Sequence, residues 1–434
     1  MLINFSVKNF GPIKDKQTIS FEATKSDHLE DYYVVKTKTG HRLLKIALIY
    51  GANASGKTTI LQALDFLRDL VVEPKSQKTE ELEYQPFLFD TDSPHQNSSM
   101  SIEFVADETR YLYEVEFNRK AVVNERLYAY NPKRSLVYER STDLEKQLSE
   151  LKFGSKYDID ATTRKNLETN TLWNNTVLGG FLKTNLDFKE LKSVVNWFEA
   201  YLYPIIYPRT ILERFVTSRI NEGMLTKQDI LSILKKADLY ISDLNIKKEE
   251  QKIPEKLVEL FEIMVKDRTT DDPNIKFEEK KIVKISIEFQ HKVKKGIYTL
   301  PIEEESEGTK RYFALSGLLA IMIKHSVLFP IDELEASLHP ELFMHFILTF
   351  LNNAKQSQLI ATTHNREIFM NKDIFRNDAI WFTEKNENGA TEIYSLADFD
   401  STVIRNTSSI YNAYKSGRLG AVPNLGDIFI NLDK

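Results

Sequence analysis

The sequence predicts an α/β fold: a mixed, largely parallel sheet and an antiparallel β layer, interrupted in the chain by a helical insertion. Three observations carry this expectation. An apolar run at 43–50, a glycine-bracketed loop and an amphipathic helical pattern follow one another near the N-terminus. Residues 100–139 alternate apolar and polar side chains with the period of strands. Residues 312–382 switch between helical periodicity and short apolar runs, as parallel α/β segments do.

Taken in order, residues 2–7 read as a strand and Asn9-Phe10-Gly11-Pro12 as a turn, with a second strand-like pattern at 17–23. Residues 27–40 are polar and expected as a loop or hairpin. The run 43–50 is a buried strand, and 57–71 a helix with Ile60, Leu64, Leu67 and Val71 on one face. After an irregular stretch at 72–90, residues 100–105 and 110–117 read as a hairpin, and 121–130 and 135–139 extend that layer. From Thr142 to about Asn245 the pattern is mostly helical: Asp187 is expected to cap a helix running to Tyr203, and Thr226 with Asp229 to cap the helix through Lys236. Trp197, Phe198, Tyr201 and Tyr203 read as core rather than as a base-stacking platform. A short helix is expected at 257–265, then a hairpin of 282–289 and 297–302 whose tip lysines, Lys292, Lys294 and Lys295, could meet phosphates but more often form a solvated turn. Helix 312–325, strand 327–331, helix 341–353 and strands 358–362 and 379–382 complete the parallel half. Three segments follow: an N-terminal lobe (1–141), a helical insertion (142–245) and a hairpin with a C-terminal lobe (246–434). No sustained heptad pattern marks a coiled-coil arm.

Composition narrows the chemistry. The 434 residues are 42% hydrophobic, enough for more than one core. There are no cysteines, which excludes disulfides, thiolate zinc sites and cysteine nucleophiles. The net charge of -5 gives no global basic signature for nucleic acid. No apolar run approaches the ~18 residues of a membrane-spanning helix, and the N-terminus lacks the layout of a signal peptide. A soluble cytoplasmic protein with no membrane partner is the default expectation.

Gly51-Ala52-Asn53-Ala54-Ser55-Gly56-Lys57-Thr58 fits the G-x-x-x-x-G-K-[ST] phosphate-binding pattern, between a strand and a helix as that pattern requires. Backbone N–H groups and a helix N-terminus face the phosphates. Gly51 and Gly56 let the backbone approach them, since a Cβ there would clash. Lys57 supplies a point charge and Thr58 a hydroxyl for Mg²⁺. The expected nucleotide-binding set is Gly51, Asn53, Ser55, Gly56, Lys57, Thr58 and Thr59. A second apolar strand ends in Asp332-Glu333; Asp332 would serve Mg²⁺ and Glu333 would polarise the attacking water. Pro330 inside that strand forfeits a ladder hydrogen bond, so a bulge is expected there. Ser306-Glu307-Gly308 precedes a helix and reads either as a second anion-binding cap or as an ordinary one. His364, at the end of strand 358–362, reads either as a γ-phosphate contact or as a structural histidine.

The order of a G-x-N-x-x-G-K loop, a Ser-x-Gly cap, an apolar-Asp-Glu strand and a strand ending in histidine resembles the ABC-type ATPase heads of SMC and RecF proteins. The opening Ile3-Asn4-Phe5-Ser6-Val7-Lys8-Asn9-Phe10 is similar too. The head-only ATPases of bacterial abortive infection and phage defence, of the AbiLi and RloA type, are the closer resemblance, through I-D-E-L-E-A-S-L-H-P at 331–340 and Y-K-S-G-R-L-G-A-V-P at 414–423. The helical middle lies outside it. The resemblance implies a P-loop ABC-type ATPase head using ATP and Mg²⁺. Lys57 and Thr58 match the Walker A pair, Asp332 the Walker B aspartate, Glu333 the catalytic glutamate and His364 the switch histidine. Ser306 and Gly308 match the signature motif that completes the partner's site. Glu307 departs from the family's glycine, with Lys310 to compensate, and Gln85 is the candidate Mg²⁺-sensing glutamine. Also implied are a homodimer or higher oligomer around an ATP sandwich, hydrolysis that lets the subunits part, and a separate effector of nuclease or toxin type. The alternative from the same resemblance is a RecF-like repair ATPase with DNA as its partner. Glu279-Lys280-Lys281 resembles a nuclease fragment but lacks a partner aspartate. A scaffold that holds ATP without turnover is opposed by Glu333 and His364.

Overall fold

Strand β5 (Ile46–Gly51) is apolar for most of its length and buried at every position, as a central parallel strand must be. It pairs in parallel with β16 (Gln358–Thr362) on one side and β17 (Ile380–Lys385) on the other. Strand β15 (Leu328–Ile331) adds in parallel beyond β16, and β18 (Thr391–Ser395) adds antiparallel beyond β17. The sheet order is therefore β15-β16-β5-β17-β18. The structure, a computed structural model, describes residues 1–157, 159–252, 275–278, 281–370, 372–399 and 409–424. The expected helix at 257–265 and the Glu279-Lys280 fragment lie outside the described residues. The chain divides into two units, one of Met1–Tyr207, Ser326–Leu334 and Lys355–Lys434, the other of Pro208–His325 and Glu335–Ala354.

In the first unit a seven-stranded antiparallel sheet accompanies the parallel one. It is built from β1 (Leu2–Lys8), β2 (Gln17–Ser20), β6 (Ser98–Ala106), β7 (Thr109–Phe117), β8 (Val122–Tyr130), β9 (Arg134–Asp143) and β10 (Leu148–Phe153), in the order β10-β9-β8-β7-β6-β1-β2. The polar stretch 27–40 holds a short helix, α1 (Glu30–Tyr33), and β3 (Val34–Lys36), which pairs with β4 (Arg42–Leu44). Helix α2 (Lys57–Val72) touches both sheets. Its expected apolar face, Ile60, Leu64, Leu67 and Val71, is fully buried, which stabilises the unit by about 1.5–3 kcal/mol for each large side chain. Phe66, off that face, joins Phe10, Tyr84 and Phe117 in an aromatic cluster with centroids 5.1–5.6 Å from its own.

Helix α2 also explains the proline in β15. Asp65 accepts the Ile205 N–H at 2.9 Å, and Arg68 donates to the Leu202 carbonyl at 3.0 Å, holding the segment 202–206 in place. That segment flanks the outer side of β15, where Ile206 N donates to the Pro330 carbonyl at 2.9 Å and Asp332 N to the Ile206 carbonyl at 2.8 Å. Pro330 thus turns its missing donor to the sheet's edge, and the register with β16 runs unbroken from Leu328↔Gln358 to Ile331↔Ala361. The expected bulge is not there.

The segment 142–245 is less purely helical than its pattern suggests. β9 reaches Asp143, β10 follows, and only then come α3 (Ala161–Asn170), α4 (Val177–Leu182) and α5 (Lys189–Asn196). The chain passes to the second unit at Tyr207/Pro208, inside this segment. Asp187 caps nothing: the N-cap of α5 is Phe188, and beyond α5 the helix widens into one π turn, Trp197–Tyr201. Trp197 is core as expected, stacked on Phe104 at 4.2 Å.

The second unit contains α6 (Leu212–Asn221), α7 (Lys227–Leu234), α8 (Glu307–Lys324) and α9 (Pro340–Asn353) with a four-stranded antiparallel sheet. In that sheet β13 (Lys281–Val293) pairs with β11 (Ile241–Lys252), β12 (Ile275–Glu278) and β14 (Gly296–Pro301). Thr226 and Asp229 form the expected reciprocal cap of α7. The tip lysines Lys292, Lys294 and Lys295 are exposed. No helix among the described residues is long and apolar enough to cross a membrane.

Candidate functional site

Because β15, β16, β5 and β17 run parallel, their C-terminal ends share one edge of the sheet, where ligands of such folds sit. Gly51 closes β5, the loop turns over Ala52–Gly56, and Lys57 opens α2. The Lys57 ammonium is buried and folds back onto the loop, donating to the carbonyls of Gly51 (3.0 Å) and Ala52 (2.9 Å). Ser55 is buried, Asn53 is exposed, and Thr58 and Thr59 are half-buried at the start of α2.

The glycines answer to a different neighbour from the one expected. A Cβ on Gly51 would collide with the hydroxyls of Ser55 and Thr383, and one on Gly56, at φ +102, with the side chain of Thr391. The close approach is made by β17 and β18 themselves. Thr383 Oγ1 lies 2.6 Å from Ser55 Oγ, and Thr391 Oγ1 donates to the Ser55 carbonyl at 2.9 Å. These two buried threonines clamp the loop from the adjacent hairpin. Sequence reasoning missed both, since no local pattern distinguishes them.

Asp332 is buried against the first turn of α2. Thr58 Oγ1 donates to its carboxylate at 3.0 and 3.2 Å, and Thr362 Oγ1 donates at 2.6 Å. Thr362 also organises the turn that follows, accepting Glu333 N on its hydroxyl (2.8 Å) and Leu334 N on its carbonyl (3.1 Å). Glu333 is held exposed at φ +46, a left-handed conformation that costs a non-glycine residue about 1 kcal/mol or more. His364 is exposed at the end of the neighbouring strand, just beyond Thr363, whose N–H donates to the Ile49 carbonyl at 3.0 Å. The parallel register thus brings Lys57, Thr58, Asp332, Glu333 and His364 to one edge.

Gln85 is held beside α2 through its backbone: its carbonyl accepts Gly11 N at 2.6 Å, and Gly11 lies against Thr59. Its side chain is exposed. Asn9, buried at φ +56, accepts Phe87 N and donates to the Ser93 carbonyl, both at 2.9 Å, which ties down the segment carrying Gln85.

Ser306, Gly308 and Lys310 belong to the second unit. Ser306 is the N-cap of α8, accepting Thr309 N at 3.1 Å. Gly308 faces the Ser337 carbonyl, 3.1 Å from where a Cβ would stand. Glu307 is exposed and paired with Lys310 at 3.0 Å. Arg311 lies one turn beyond Gly308 and is buried. Burial lowers its pKa, and the opposite charges of Glu213 and Glu335 partly offset the effect.

Fold and loop together define an α/β protein with the P-loop ATPase fold. The chain belongs to the AAA ATPase domain family, which matches residues 1–369. No curated protein matches the chain. Among solved structures it aligns with an SMC head bound to the C-winged helix domain of ScpA, at 14% identity over 91% of this chain and 97% of that one, TM-score 0.48. It also aligns with the SMC head domain from Thermotoga maritima, at 16% identity over 91% and 98%, TM-score 0.38. A third is the Smc head domain with an extended coiled coil bound to the C-terminal domain of ScpA, derived from Pyrococcus furiosus, at 14% identity over 96% and 98%, TM-score 0.42.

Proposed function

We propose that this protein binds and hydrolyses ATP, pairs head-to-tail with a second copy around two nucleotides, and acts in the cytoplasm as a sensor and regulator of anti-phage defence beside a separate effector. The observation that carries the ATPase reading is the Thr58–Asp332–Thr362 arrangement at the mouth of the loop. A hydroxyl and a carboxylate 3.0 Å apart beside a phosphate loop are the hard oxygen donors that suit Mg²⁺. Among the described residues there is no cluster of three or more metal-binding side chains, and a nucleotide-borne Mg²⁺ needs only one or two protein ligands. Thr58 and Asp332 would hold the ion, which would supply charge neutralisation for the phosphates.

The chain's own residues do the rest. Lys57 swings from the Gly51 and Ala52 carbonyls to the phosphates, and the backbone N–H groups of Asn53 to Thr59 with the α2 N-terminus cradle them. Glu333 orients the attacking water and accepts its proton as the bond from γ-phosphorus to the ADP oxygen breaks. His364 would donate to the γ-phosphate, and Gln85 would help hold the Mg²⁺. Ser306, Gly308 and Lys310 serve the partner copy's nucleotide, because a site of this kind is completed in trans. The defence role is supported by the AbiLi- and RloA-like stretches at 331–340 and 414–423. The alternative, RecF-like DNA repair, has the exposed Lys292, Lys294 and Lys295 in its favour. DNA that strengthens ATP-driven pairing in a salt-sensitive way would support that alternative.

Nucleotide titration and phosphate release test the ATPase reading. Lys57→Ala should lose ATP binding, and Glu333→Gln should bind ATP with turnover lowered at least a hundredfold. Wild-type affinity in the first variant, or wild-type turnover in the second, overturns the assignment.

A further inference from the structure

Strand β14 of the second unit is bonded on one side only among the described residues. It pairs with β13 from Glu288↔Pro301 to Val293↔Gly296, and no other described strand meets it. All six of its residues are exposed. Ile297 is 62% exposed, Tyr298 55% and Leu300 42%, so an apolar surface accompanies the free edge. Proteins that stay monomeric guard such an edge with a charge, a bulge or a covering segment. Residues 296–301 carry no charge, and their register with β13 runs without a shift.

The charges stand just outside the strand, sorted by sign. Lys292, Lys294 and Lys295 precede it, and Glu303, Glu304 and Glu305 follow it. His291 takes up Glu305 at 2.6 Å, while Glu303, 4.0 Å from Lys284, and Glu304 are exposed. A strand with one basic and one acidic end is complementary to itself when reversed. Antiparallel pairing about its centre, between Tyr298 and Thr299, sets Ile297 opposite Leu300. It also brings the lysine end of each copy to the glutamate end of the other. Parallel pairing in register would set like charges together.

We propose that β14 is an interface with a second copy of this chain, the two strands pairing antiparallel across a two-fold axis and joining the two sheets into one. Such a contact is isologous, since the same patch serves on both sides. Backbone hydrogen bonds and the apolar side chains hold it, and the sorted charges fix its direction. It needs no nucleotide, so it is distinct from the pairing around ATP and stands whether or not that pairing occurs.

Sedimentation of the full chain without nucleotide tests it, in a Lys57→Ala background so that carried-over ATP cannot contribute. The chain should form a dimer that weakens as salt is raised. Lys294→Glu with Lys295→Glu should weaken it about tenfold or more, and Glu303→Lys with Glu304→Lys should do the same. A chain with all four changes should pair again, because its ends are complementary with the signs exchanged. A monomer at every concentration overturns the proposal, as does a dimer that neither reversal weakens. Weakening by the reversals with no recovery in the fourfold variant also overturns it, since those residues would then serve the fold and not the pairing.

Discussion

Asp65 and Asp69 stand one turn apart on α2, the helix that carries the phosphate loop, and Glu73 follows four residues on as its C-cap. Burial raises the Asp69 carboxyl to about 6, and the charges of Asp65 and Glu73 add to the effect; Arg68, 2.9 Å away, opposes it. Between the ordinary carboxylate range and about 6, the folded chain keeps a proton that the unfolded chain has released. Stability is therefore lost as pH rises through that window. Asp69→Asn should raise the Tm at neutral pH and bring no gain below the ordinary carboxylate range. Thermal melts of both chains across that interval check this, and a Tm that is equal at neutral pH would count against a buried, raised Asp69 carboxyl. Asp65 has its own task, since it accepts the Ile205 N–H and so helps hold the segment flanking β15.

At the scale of elements, the loop is stabilised by a hairpin far away in the chain. Thr391→Val keeps the side chain's size but removes the donor to the Ser55 carbonyl, about 1 kcal/mol of hydrogen bond. The loop should loosen, with ATP affinity falling about fivefold and the Tm shifting by a few degrees. Titration of the variant decides: unchanged affinity would mean that the bond supports β18 and not the loop. This clamp also marks the limit of what could be read from residues alone. Strand β5, the loop and α2 were legible because apolar run, glycine spacing and helical periodicity are all local signals. Asp332 and Glu333 were legible because they end an apolar strand. Thr383 was not: it lies 328 residues from Ser55 and nothing around it is unusual. Pro330 misled for a related reason. Its position in the strand was plain, but only the sheet order shows that its missing donor faces away from β16, so the register with β16 loses no bond.

At the scale of the molecule, the candidate loop, Asp332, Glu333 and His364 lie in one unit, and Ser306, Gly308 and Lys310 lie in the other. In a head-to-tail pair each copy would lend its second unit to its partner's nucleotide. Ser306→Arg should accordingly bind ATP as tightly as wild type and fail to pair, as read by sedimentation with ATP in a Glu333→Gln background. Pairing at wild-type strength would remove Ser306 from the shared site. The order β15-β16-β5-β17-β18 carries a further consequence, for biosynthesis. Ile46 pairs with Leu359, and Leu48 with both Ala361 and Ile380, so the phosphate-loop strand leaves the ribosome long before either neighbour exists. The apolar β5 must wait unpaired while most of the chain is made. Strand β5 cannot complete its sheet until residues 358–385 have been made, and until then its apolar side chains need shielding from aggregation.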